Sequence, residues 1–530
     1  MILVSLYFLL IFATGGEFLE VLIPEKFPCA ARITGNSSKN VVCVCNATYC
    51  DRIEPAENHT LGGKFLIYRS SEAGDRLRKY YGAFLGAGDE KADITIQIDA
   101  KSTYQEIIGF GGAFSDSTGL NLNSLDVAVQ DQILRAYFGP DGLDYSLARV
   151  PIGSTDFSTH EYSLDEVQND TDLTMFKLSN EDLQMKIPFI RCALALSPNL
   201  KLFASPWSPP GWMKTNQKMH NGGSLLPTSQ IHQSYANYLT QFFTEYAKNH
   251  VEFWGMTVQN EPRTSGMTSW TWQGLNLTRE MERDFLRDYL GPTLRAENVT
   301  RDLKIMVLDD VRTDVVEEAD TIFNDPIASS FADGIAVHWY DDAFTSISLY
   351  DTTHKNHPSK FLLATEACLG FEDGEGPKLG NWSRAEELAW SQIEYLEHWV
   401  SGWVDWNLVL DEKGGPNWVN NMVDVGIVVN QTAQEFYKQP IFYSMGHFSK
   451  FLPPASLRIH HEKISDSTEN QENPKVTCAI LPRSARRTCV ILNREPREIN
   501  AKLVDIQENR EFLVKLAPNS IQTVIWDGGK

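Results

Sequence analysis

Between about residues 105 and 406 the chain alternates two textures. Short runs rich in apolar and β-branched residues occupy 106–112, 147–153, 202–207, 253–260, 305–309, 334–340, 361–366 and 402–408. Between them, apolar positions recur every three or four residues. Tyr235, Leu239, Phe242, Phe243 and Tyr246 make one such stripe, which predicts a helix. Ser124 is placed to cap a second helix with Val129, Ile133 and Tyr137 on one face, stopped by Gly139-Pro140. Ser383 and Glu386 form a capping-box pattern ahead of a third, over 388–400. Eight strand runs separated by helices predict a (β/α)8 barrel. A doubly wound open sheet is the alternative, but Gly109–Gly112 reads GFGG, without the spacing of a dinucleotide loop.

Outside this region the period shortens to two. The alternation over 64–104 and 456–530 predicts strands, and we assign 53–104 with 456–530 to a β-sandwich beside the barrel. Residues 29–52 with 407–440 are assigned to a small three-stranded β unit, and 105–406 with 441–455 to the barrel. Within the sandwich, 475–481 and 488–492 read as a hairpin around 482–487. Cys478 and Cys489 lie equally far from a turn centred on Arg483 and Ser484, which predicts a cross-strand disulfide. Cys29, Cys43, Cys45 and Cys50 crowd together and read as two more bridges, with three connectivities open. Cys192 and Cys368 have no evident partner.

The first residues change the compartment. Positions 2–13 are almost wholly apolar, and about 12 residues suit a signal-peptide core rather than a membrane span, so 1–16 is read as a signal peptide. Eight N-x-S/T sequons, at Asn36, Asn46, Asn58, Asn169, Asn276, Asn298, Asn381 and Asn430, fit a glycosylated protein of the secretory route. That route favours disulfides over a zinc site at the clustered cysteines. Composition adds little to the fold: 530 residues with 42% hydrophobic content are ample for a packed core. The formal charge of −22 removes nucleic acid from the leading partners. Thirteen tryptophans leave some for a sugar-binding cleft.

Barrel enzymes keep their chemistry at the C-terminal ends of the strands. The fourth run closes with Gln259-Asn260-Glu261-Pro262 and the seventh with Thr365-Glu366. Two carboxylates facing each other across a barrel mouth are what glycoside hydrolysis requires. No metal or organic cofactor is expected. His354 and His357 sit in a polar stretch, His460 and His461 are adjacent and diverge along a strand, and Asp309-Asp310 reads as structural or pocket-lining.

The stretches VVCVCNATYC (41–50), GFGGAFSDS (109–117), RVPIGSTDFS (149–158), ASPWSPPGWMKT (204–215), TVQNEP (257–262), GIAVHWY (334–340), ATEAC (364–368), GWVDWNL (402–408) and GGPNWV (414–419) resemble, in order, the glucosylceramidases of glycoside hydrolase family 30. With this resemblance go the pairings Cys29–Cys43 and Cys45–Cys50. It implies a retaining β-glucosidase that cleaves glucosylceramide to glucose and ceramide. Glu366 would be the nucleophile and Glu261 the general acid/base. Asn260 would bond the sugar 2-hydroxyl. Asp156, Trp207, Trp406 and Asn421 would bind glucose, and Arg149, His338 and Tyr340 would orient the carboxylates. Trp270 and Trp272 would line the entrance for lipid chains. The resemblance further implies a lysosomal, membrane-peripheral enzyme that works on an anionic phospholipid surface with a saposin-type activator, most active near pH 5. Two stretches depart from the pattern, the loop RTSGMTSWTWQG after Pro262 and Asp341 after HWY, and these bear on the aglycone. A related family-30 β-glycosidase (xylosidase, glucanase or sterol/aryl glucosidase) shares both carboxylates. A silent binding protein would be expected to lack one of them.

Overall fold

The computed structural model describes residues 20–54, 63–84, 92–372, 376–464 and 472–528. The predicted signal peptide and Asn58 lie outside them. Eight parallel strands close into a barrel: β1 (Gly109–Ala113), β2 (Leu147–Ile152), β3 (Lys201–Pro206), β4 (Gly255–Thr257), β5 (Lys304–Val311), β6 (Gly334–His338), β7 (Phe361–Glu366) and β8 (Val400–Asn407). Leu147, Phe203, Met306, Ala336, Leu363 and Val404 fill its interior as a buried cluster. The surrounding helices bury the stripes read from the sequence: Ser229–Lys248 packs Tyr235, Leu239, Phe242, Phe243 and Tyr246 inward. No helix of the described residues is long and apolar enough to cross a membrane.

Three local expectations are corrected. Ser124 does not begin a helix; it ends Asp116–Asn123, its hydroxyl donating to the Asn121 carbonyl, and Asp126 precedes the helix Val127–Phe138. Asn381, not Ser383, caps Trp382–Glu397 by accepting the Arg384 N–H, and Glu386 accepts the Trp382 indole N–H instead of closing a capping box. The sequence up to Glu106 belongs to the long neighbouring strand Ile94–Glu106, and the barrel starts at Gly109.

The period-two flanks form a ten-stranded sheet built from both ends of the described chain. Val21–Leu22 adds an edge strand not foreseen. The sheet curls back on itself. Phe65 and Phe512, on strands far apart in its order, bring their rings within 4.5 Å, inside a core of their own that includes Trp526. Cys478 pairs directly with Cys489 across Lys475–Leu481 and Arg486–Asn493 and is bonded to it. The turn is shorter than expected, with Arg486 and Arg487 already in the strand.

The small sheet has five strands, not three: Val409–Asp411, Ile427–Asn430, Glu435–Lys438, Val41–Asn46 and Ala31–Ile33. Bonds Cys29–Cys43 and Cys45–Cys50 staple it, while Cys192 and Cys368 are free. None of the seven described sequon asparagines is buried: Asn36, Asn169 and Asn298 are exposed, and Asn46, Asn276, Asn381 and Asn430 are half-buried.

Candidate active site

The strand ends converge on a cleft of about 710 Å³. Glu366 is the last residue of β7. Glu261 lies four residues past β4, on a segment that keeps bonding to its neighbours: Val258 N–H to Met306, Asn260 N–H to Pro206 and Glu261 N–H to Asp309. Glu261 itself takes φ 43°, in the left-handed region. An oxygen of Glu261, an oxygen of Glu366 and a nitrogen of His338 all lie within 4.8 Å of one another.

The two carboxyls meet different surroundings. Glu366 Oε2 accepts from Arg149 Nη1, and Oε1 accepts the Tyr340 hydroxyl at 2.8 Å. Those two bonds fix the carboxylate from both sides. Glu261 is buried beside Glu366; burial, with the charge of Glu366, raises its carboxyl above the usual range against the His338 hydrogen bond. One acid is thus gripped by a guanidinium and a hydroxyl, while burial pushes its neighbour toward the protonated state, an asymmetry that suits two-carboxyl hydrolysis.

Beneath them Asp309 organises the floor. It accepts from Arg149 Nη2, Thr257 and Thr365 at 2.7 Å each, and from His338 Nε2 at 3.0 Å. Burial opposes its charge, but Arg149 and His338 overcome that and hold Asp309 below the ordinary aspartate range. Burial also opposes a charged His338, yet Glu366 and Asp309 push its imidazole up to about 10. The imidazolium can donate at both nitrogens, to Glu261 at 3.1 Å and to Asp309. Arg149 Nη2 also donates to Asn260 Oδ1 at 2.7 Å, leaving the Asn260 amide N–H groups for a ligand.

One side of the cleft is walled by Trp207 and Trp406, stacked with centroids 4.9 Å apart, with the Arg149 guanidinium 4.8 Å from the Trp207 ring. Asp156 accepts from Asn421 Nδ2 at 2.9 Å, and burial pushes its carboxyl up to about 7. Asn421 comes from the small sheet's long loop, which docks through Trp418 Nε1 on the Thr155 carbonyl. The wider mouth carries Trp270, Trp272, Val311 and Phe371, with the two tryptophan rings 4.3 Å apart. The thiol of Cys368 lies 3.4 Å from Tyr340 Oη.

All ten residues singled out for catalysis, sugar binding and orientation are therefore in or directly beneath one cleft. Sequence reasoning missed the floor: Ser205, Thr257 and Thr365, and Gln259, whose amide holds the Pro206 and Trp207 carbonyls. Asp309, read as structural or pocket-lining, is its hub. The Asp-Asp pair closing a strand was the available signal. Asp341 bridges two loops, accepting the Arg312 and Thr313 N–H groups. Among the described residues, one cluster of potential metal ligands is this trio and the other is Cys45, Cys50 and Asp51, whose cysteines are bonded to each other. A cation at the trio would have to displace Arg149, Tyr340 and His338 from the carboxylates.

The description "Glycosyl hydrolase family 30 TIM-barrel domain" matches residues 107–452. The chain belongs to glycosyl hydrolase family 30. Among its family-30 relatives, "Putative glucosylceramidase 3" of Caenorhabditis elegans is 47% identical over 505 residues, covering 94% of this chain and 95% of the relative. "Lysosomal acid glucosylceramidase" of Mus musculus is 39% identical over 505 residues, with 94% and 95% covered. Of solved structures, SrfJ from Salmonella typhimurium superposes with a TM-score of 0.79 at 27% identity, covering 88% of this chain and all of that one. In this family-30 chain the small disulfide-bearing sheet supplies the loop that completes the cleft wall beside Asp156.

Proposed function

We propose that the chain is a retaining β-glucosidase of glucosylceramide. The observation that carries this is the pair Glu261 and Glu366, an oxygen of each within 4.8 Å, with Glu366 held by Arg149 and Tyr340 and Glu261 raised by burial. That spacing falls on the short side, where retention operates at about 5–5.5 Å, rather than at the about 6.5–9.5 Å that leaves room for water. Glu366 attacks the anomeric carbon while Glu261 gives its proton to the departing ceramide oxygen. A glucosyl ester on Glu366 results. Glu261, now ionised, takes a proton from water, which attacks the same carbon; glucose leaves and Glu366 is restored. Tyr340 and Arg149 hold the nucleophile, and Asn260 bonds the 2-hydroxyl as the oxocarbenium character grows. Asp156, Asn421, Trp207 and Trp406 seat the glucose. The aromatic mouth at Trp270, Trp272 and Phe371 suits an apolar aglycone. Relatives named glucosylceramidases at 47% and 39% identity support the substrate.

The same reading places the enzyme in the lysosome lumen, N-glycosylated, peripheral to an anionic phospholipid surface and aided by a saposin-type activator. The mouse relative's name supports the compartment. At a charge of −22, such a surface repels the protein at neutral pH and less so in acid.

The test is hydrolysis of a short-chain fluorescent glucosylceramide at about pH 5 with anionic phospholipid. Wild type should turn it over, Glu366→Gln should not, and azide should partly restore Glu261→Gln on a substrate with an activated leaving group. Turnover of an aryl β-glucoside without the lipid would keep the chemistry and remove the lipid substrate. Full activity in Glu366→Gln would remove the mechanism.

A further inference from the structure

Behind the cleft the chain buries a second pair of acids. Glu282 lies on the helix Arg279–Phe285 and Glu318 on the helix Val315–Phe323, both fully buried. The two helices pack on each other and bring the two carboxyls together in one buried space. Two carboxylates offer each other no donor, so burying them side by side favours a retained proton. The outer oxygens are occupied: Glu282 Oε1 accepts the Leu308 N–H at 3.1 Å, and Glu318 Oε2 accepts from Arg263 Nη2. Glu282 Oε2 and Glu318 Oε1 are buried and meet no donor among the described residues.

Both ends of the pair reach the catalytic floor. Leu308 and Asp309 take φ 72° and 49°, at an irregularity of β5 against β6, and the Glu282 bond holds the first of them. Arg263 is two residues past Glu261; its own N–H donates to Asp310 Oδ2 at 2.9 Å, and its guanidinium to the Leu277 carbonyl at 3.3 Å. The other charged groups facing the pair are Arg279, Asp314 and Asp309. Arg279 is paired to Asp314 and Glu317, and Asp309 to Arg149 and His338. Arg263 is thus the cation in contact with the pair. One retained proton leaves the three side chains neutral overall, whereas two carboxylates against one guanidinium leave a buried negative charge.

We propose that Glu282 and Glu318 share one proton and act as positioning residues for hydrolysis, fixing through Arg263 and Leu308 the segments that carry Glu261 and Asp309. This rests on Glu261 serving as acid/base. Burial raises both carboxyls, that of Glu282 to about 7. A carboxyl raised in the folded state stabilises that state fully below its unfolded value and loses the contribution as pH climbs through the folded value. The brace therefore loosens between about pH 4.5 and 7.

The experiment compares full-length wild type, Glu282→Gln, Glu318→Gln and Arg263→Leu. It reads kcat and KM for a soluble aryl β-glucoside, and Tm, from pH 4.5 to 8. Glutamine at 282 supplies permanently what the proton supplies. We expect Glu282→Gln to shrink the ratio of kcat at pH 5 to kcat at pH 7.5 by about threefold or more, and to flatten the fall of Tm over the same range. Arg263→Leu should lower kcat about tenfold with KM within about twofold, the signature of a misplaced acid/base. A Glu282→Gln enzyme whose kcat and Tm profiles overlay wild type overturns the proposal. So does failure of both glutamine variants to fold, because a neutral isostere is tolerated where a proton already resides. The Tm profile needs no turnover, so failure of the acid/base assignment, seen as full activity in Glu261→Gln, is read separately.

Discussion

Arg149 sits where five barrel strands meet, touching Ser205, Asn260, Asp309 and Glu366 from its own place on β2. One cation thereby holds the Glu366 carboxylate, and Asp309 keeps that cation in place. Removing the Asp309 charge takes away a partner shared by two buried cations, Arg149 and His338. Asp309→Asn is expected to cost about 3–5 kcal/mol in denaturant unfolding and about 10²-fold in kcat through misplacement of both acids. A variant with wild-type kcat would show that the floor is dispensable. The raised Glu261 carboxyl gives a second expectation. Its proton is retained above the usual carboxylate range, so hydrolysis of a soluble aryl β-glucoside should hold beyond about pH 6 and decline on the alkaline side as that proton leaves. Vesicle-borne substrate should fail at lower pH, as charge repulsion from the surface grows; coincident profiles would contradict this. At this scale the two acids were legible because an ionisable group closing an apolar strand is conspicuous. Ser205, Thr257 and Thr365 were not, because hydroxyls that bond only inside a barrel leave no period or motif.

Among elements, the first barrel strand meets both of its neighbours through glycine. A Cβ on Gly111 would come 1.8 Å from the Leu147 carbonyl oxygen, and one on Gly402 would come 2.0 Å from that of Gly109. Backbone cannot yield as a side-chain tip can, so Gly111→Ala should cost about 3 kcal/mol or more, read as lost Tm and lost soluble yield. Near-wild-type stability would show that β1 shifts freely against β2. The Cys478–Cys489 bond should matter less. It closes an 11-residue separation between strands already paired along their length, so replacing both by alanine should cost about 2 kcal/mol and leave kcat intact. The long, strongly periodic elements were readable from sequence. The small sheet was undercounted because Ala31–Ile33 and Val409–Asp411 are three residues each, too short to display alternation. The caps went to Asp126 and Asn381 because several polar residues near each helix start compete, and tertiary packing chooses among them.

For the molecule as a whole, acid is the favourable condition. Asp156 and Asp405 are pushed up to about 7 by burial, as is Glu282. Each has a folded value above its unfolded one, so each contributes most below about pH 4 and less as pH rises toward 7. The −22 charge adds repulsion in the same direction. Tm should be several degrees higher at pH 5 than at pH 7.5 by scanning calorimetry, and a flat or inverted dependence would refute that sum. The strand Ser520–Asp527 lies between Lys64–Ser71 and Arg486–Asn493, in the middle of the ten-stranded sheet, and its Thr523 accepts or donates with His447 of the helix Pro440–Ser449. A ribosome therefore delivers the centre of that sheet after nearly everything around it. Until then the nascent chain presents two unmatched strand edges and an open apolar face, so the step at which this enzyme most needs a chaperone waits for residues 520–527 to emerge, long after its two acids have been made.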